Sequence, residues 1–112
     1  MMKRIITSFI SLLILLSSTS LNCFAISAED SNKMANYITI IGRAIGCGIN
    51  TDTELIRVIN WLKPKFSDPQ EESMYTMIIA EFLEKNAREQ SQGLSPDSCY
   101  EVIQQYNLIN WP

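Results

Sequence analysis

The stretch Tyr37-Ile38-Thr39-Ile40-Ile41-Gly42-Arg43-Ala44-Ile45-Gly46-Cys47-Gly48 decides the fold. Read as a helix, it puts Ile38, Ile41 and Ile45 on one stripe, widened by Tyr37, Ile40 and Ala44. Ala35, Thr39, Gly42 and Gly46 form a second stripe of small residues. Only Asn36 and Arg43 hold a clear polar strip. A helix that is apolar on most sides must be wrapped by others. The sequence therefore predicts an all-α protein built round a central helix over 28–47. Gly48 suits a left-handed C-cap after Cys47. The spacing Gly42-x-x-x-Gly46 lets a neighbouring helix approach closely. That neighbour is either a helix of the same domain or, in a self-associated or complexed state, a second copy or partner helix.

Three further helices follow. The second is expected over about 52–64. Thr51-Asp52-Thr53-Glu54 reads as a capping box, and Leu55, Val58, Ile59 and Leu62 make its apolar face. Pro64 ends or kinks it. Asp68 as N-cap and Pro69 at the first helical position open a third helix over about 69–92. Met74, Ile78 and Phe82 form one face of that helix, and Tyr75, Ile79 and Leu83 adjoin it. Glu81–Lys85 and Glu84–Arg88 are spaced as i, i+4 ion pairs on its polar half. Gly93 stops it. Ser95-Pro96-Asp97 predicts the start of a fourth helix, over about 96–106, with Cys99, Val102, Ile103 and Tyr106 facing inward. No segment alternates with period two as a strand would.

The first 25 residues read as an address. Lys3 and Arg4 precede the mostly apolar Ile5–Leu16, and a polar, small-residue segment ends Cys23-Phe24-Ala25. This is the pattern of a cleavable secretory signal peptide. Its short basic region points to a bacterial periplasm, with secretion as the alternative. Residues 26–112 then form one helical domain, without stable membrane insertion after cleavage.

Cleavage removes Cys23 and leaves Cys47 and Cys99, an even number in an oxidising compartment. A Cys47–Cys99 disulfide is expected, and chain-entropy arguments assign roughly 4 kcal/mol to closing such a loop. The whole is expected to be a small four-helix bundle with one disulfide, preceded by the leader.

Composition excludes much chemistry. The 112 residues include no histidine, which removes imidazole acid–base catalysis and the usual nucleophilic triads. With 9 basic against 12 acidic residues, the chain lacks the footprint of a nucleic-acid binder. Removing residues 1–25 takes two basic residues and no acidic one, so the excess of acid grows. Asn50, Asp52 and Glu54 imitate part of a calcium loop, but Leu55 and Trp61 stand where such a loop needs glycine and glutamate. No catalytic residue, metal ligand or cofactor motif is expected.

A non-enzymatic protein that acts by binding another protein is the reading that remains. It would serve as an inhibitor or immunity protein, or as an accessory of an envelope or secretion machine. The acidic surface suits a basic partner. Trp111, Tyr106 and Trp61 are the candidate partner-binding aromatics, with Gly42 and Gly46 as the small-residue alternative. The tail Asn107-Leu108-Ile109-Asn110-Trp111-Pro112 either folds back on the bundle or presents an anchor. In size and bridge arrangement the chain is also similar to the small two-cysteine helical chaperones of the acid-stressed periplasm, although no motif of theirs aligns with it. That likeness implies an alternative, an acid-activated chaperone. With no histidine, its switch would fall at about pH 3–4.5. A secreted effector or toxin is the third alternative.

Overall fold

Ser27 starts the first helix. Its backbone is extended, at φ −70° and ψ 160°, and its hydroxyl accepts from the Asp30 N–H at 3.1 Å. The computed structural model describes residues 26–112, so the expected leader lies outside the described residues. Four helices follow: α1 Ala28–Gly46, α2 Asp52–Leu62, α3 Pro69–Ser91 and α4 Cys99–Leu108. A short 3-10 turn at Lys63–Lys65, containing Pro64, closes α2. There is no strand among the described residues.

Two starts differ from expectation. Thr51 stands at the N-cap of α2 but makes no capping bond. Its backbone (φ −109°, ψ 8°) is outside the extended region that aims a cap side chain at the first amides, and the residue is buried. Asn50 Oδ1 accepts from the Asp52 N–H instead, at 3.1 Å. The fourth helix begins at Cys99 rather than at Pro96. Ser98 is its N-cap, accepting from the Glu101 N–H at 3.2 Å while its hydroxyl donates to Glu101 Oε1 at 3.3 Å. Asp97 is held out of the helix because Arg43 and Gln105 bind its carboxylate and Gln90 binds its carbonyl. Asp68 caps α3 as expected, accepting from the Glu71 N–H at 2.8 Å. Gly48 and Gly93 take φ 81° and 72° after α1 and α3.

α1 is the hub. It packs on each of the other helices, most extensively on α3, while the other helices pair only weakly among themselves. Ile38, Ile41 and Ala44 of α1 meet Val58 and Leu62 of α2, Ile79 of α3, and Val102 and Tyr106 of α4 in one buried cluster.

α1 and α3 run parallel. Gly42 lies against Asn86 and Gly46 against Gln90, both pairs offset by 44 residues. A Cβ on Gly42 would come 2.7 Å from Asn86 Cβ, and one on Gly46 would strike the carbonyl oxygen of Ala87. Gly42 and Gly46 are thus the seat of α3 within the same chain. The disulfide joins Cys47, just past the end of α1, to Cys99, the first residue of α4, with their Cα atoms 5.7 Å apart. Cys99 reaches α1 from an exposed position at a helix end, not from inside the core.

Candidate interaction surface

The tertiary structure gathers the three candidate aromatics. Trp111 folds back between Tyr106 and Tyr37, with ring centroids 5.1 and 5.6 Å away. Its Nε1 donates to the Tyr106 carbonyl at 3.3 Å. Trp61 meets Tyr37 edge-on at 5.6 Å, and the Lys65 ammonium lies 4.9 Å from its ring centroid. Arg57 fastens the tail by donating to the carbonyl oxygens of Trp111 and Pro112 at 3.1 and 2.9 Å. Leu108 does not join this cluster and is 84% exposed. Gly42 and Gly46 lie apart from the aromatics, in the α1–α3 seam.

Tyr106 is buried, and its hydroxyl has no hydrogen-bond partner in this structure. Burial pushes its phenol well above the ordinary value, and the nearby Glu54 carboxylate pushes it further the same way. This group is a packed ring rather than an acid or base at neutral pH.

A different surface escaped the sequence reading. α3 carries two adjacent apolar rows, and α1 covers only one. Tyr75, Ile79 and Leu83 are buried or half-buried against the core. Met74, Met77, Ile78 and Phe82 are left outside, with Met77 65% and Phe82 51% exposed. Glu81 and Lys85 lie among them and Glu84 at their edge, all exposed. Arg88 is paired back to Glu84 at 3.7 Å. The signal was available: a helix with two neighbouring i, i+4 apolar rows has more apolar surface than one partner helix can cover.

On the opposite flank of α3, a groove of about 250 Å³ runs between α2 and α3. Ile59, Leu62, Phe66, Thr76 and Ile79 line it, with Glu72 at its side. Its walls are almost wholly apolar, with Lys63 and Glu72 the charged residues among its lining, so it can take an aliphatic or aromatic side chain.

Among the described residues no three or more Cys, Asp or Glu side chains converge as a metal site would require. No helix among them is long and apolar enough to cross a membrane. The disulfide is compatible with an oxidising, extracytoplasmic setting. No protein-family model, curated protein or solved structure matches the chain.

Proposed function

We propose that this chain is an exported, non-enzymatic protein that works in the bacterial periplasm by binding a basic protein partner along α3. The observation that carries this reading is the uncovered apolar row Met74, Met77, Ile78 and Phe82. An exposed apolar patch rimmed by charge is the usual mark of a protein-binding surface. The charge argument supports a basic partner. Lys33, Arg43, Lys65 and Arg88 are each tied to a carboxylate within the chain, and Arg57 is tied to the tail. These ion pairs neutralise as many acids as bases, so the acidic excess of residues 26–112 remains. A stoichiometric inhibitor, an immunity protein or a subunit of an envelope machine would use such a face in the same way.

A photo-crosslinking residue at position 77 of the exported protein tests this. One basic partner, captured one-to-one at neutral pH and lost at high salt or with Phe82→Asp, is the expected result. Many unrelated partners appearing only near pH 3 would replace this reading with an acid-activated chaperone. Capture at neither pH would overturn both.

A further inference from the structure

Among the described residues, Glu71 is the one buried carboxylate. It is 8% exposed. It occupies the third position of α3, in the same i+4 row as Tyr75, Ile79 and Leu83, the row that faces α1. One oxygen, Oε2, accepts from the Ser67 hydroxyl at 2.6 Å. The other, Oε1, is buried with no partner in this structure. A buried carboxylate calls for a cation and further donors. No lysine or arginine among the described residues forms an ion pair with it. The charged groups at this end of the molecule are otherwise engaged or exposed. Lys65 pairs with Asp30 at 3.1 Å, Lys33 pairs with Glu29 at 3.4 Å, Asp68 caps α3, and Glu72 is half-buried on the groove side.

The parallel register of α1 and α3 shows what lies opposite. Continued back along the two parallel helices, the 44-residue offset seen at Gly42–Asn86 and Gly46–Gln90 brings the start of α1, which Ile26 and Ser27 precede, level with the first turn of α3, which holds Glu71. The Lys65–Asp30 bridge ties the chain just before Ser67 to the first turn of α1, which agrees with that register. Ile26 is itself buried, as part of the core cluster.

We propose that Glu71 is the acceptor for the α-ammonium group created at Ile26 when the leader is removed, so that processing completes a buried ion pair. The proposal rests on the reading that cleavage follows Ala25. In that step water hydrolyses the Ala25–Ile26 peptide bond. Ala25 keeps the new carboxylate, and the nitrogen of Ile26 is freed and protonated. Before cleavage this nitrogen is an uncharged amide, and Glu71 has no counter-charge within the described residues. Afterwards an ammonium stands at the mouth of α1 beside the waiting carboxylate.

The test uses mature protein exported from the full-length precursor. N-terminal sequencing should read Ile26 first. Acylation of the α-amine across pH should then show it titrating at least one unit above the ordinary value of about 7.7–8.0. At pH 8 it should then react about fivefold more slowly than a free α-amine. Glu71→Gln should restore ordinary titration and reactivity. If that variant does not fold, titration of the unaltered chain decides alone. A mature chain that begins elsewhere overturns the proposal through its cleavage step. An Ile26 amine with an ordinary value, or one unchanged by Glu71→Gln, overturns the pairing itself.

Discussion

Arg43 Nη1 lies 2.9 Å from Asp97 Oδ2, and each residue stands beside one half of the disulfide. Arg43 is one turn before Cys47, and Asp97 is two residues before Cys99. Both side chains are about one-fifth exposed, so water screens the pair only partly. The bridge and the ion pair therefore hold the same junction. Asp97→Ala should cost about 1 kcal/mol in the oxidised protein. Opening the bridge with Cys99→Ser should cost up to about 4 kcal/mol. Asp97→Ala should cost more in that background, because the ion pair then holds the junction at Cys47 and Cys99 without the bridge. Urea melts of the two single variants and the double variant check this.

Gly46 and Gly48 are needed for different reasons. Gly46→Ala pushes a methyl group into the Ala87 carbonyl and to 2.8 Å from Gln90 Cβ, so α3 must move. Overpacking of this kind costs about 2 kcal/mol. Gly48→Ala meets no atom within 4 Å but must hold φ 81°, at a cost of about 1 kcal/mol. Thermal unfolding should rank Gly46→Ala below Gly48→Ala.

The tail separates into a packed and an unpacked residue. Trp111→Ala removes the ring held by Tyr37 and Tyr106 and should cost about 2 kcal/mol, less than a fully buried tryptophan. Leu108→Ala should change stability by less than about 0.5 kcal/mol. If partner binding follows α3, Leu108→Ala should leave it intact as well.

Tyr106 makes stability fall at high pH. Its folded-state value is raised above the ordinary value of about 10, so the unfolded chain releases the phenolic proton first. Below that ordinary value both states hold the proton and the term is absent. As pH rises through it, unfolding takes up the advantage of ionisation and stability declines. Tyr106→Phe should remove this decline. Because the hydroxyl has no well-formed hydrogen bond and only the Glu54 carboxylate nearby, the same change should be close to neutral at pH 7. Denaturant midpoints at pH 7 and above pH 10 read both effects.

The two rows of α3 should behave oppositely. Ile79→Ala opens the core and should cost about 3 kcal/mol. Met77→Ser, on the uncovered row, should stay within about 0.5 kcal/mol and weaken partner capture. Parallel melts and binding measurements on the two variants distinguish a structural row from a functional one.

Local chemistry was legible in the chain. Asp68-Pro69 starts α3, and Gly48 and Gly93 follow helix ends, because each of these depends on a few neighbouring residues; the Cys47–Cys99 pairing was legible because residues 26–112 hold no other cysteine. The apolar girth of the 37–48 segment likewise announced a central helix. Where two local signals competed, distant atoms chose between them. Ser95 and Ser98 are both good caps, and Arg43, 54 residues from Asp97, helps hold Asp97 outside α4 and leaves the start to Ser98. Thr51 reads as a capping residue, yet its buried position turns the backbone out of capping geometry. Periodicity put two apolar rows on α3 but could not say which one meets α1. That choice needs the parallel register of the Gly42 and Gly46 contacts, which covers Tyr75, Ile79 and Leu83 and leaves Met74, Met77, Ile78 and Phe82 outside. Helices and most of their ends follow from short-range energies written in the chain, whereas the 52-residue Cys47–Cys99 link needs the fold to bring its ends together. The exposed apolar row of α3 is what remains when long-range packing has used all the apolar area it can reach.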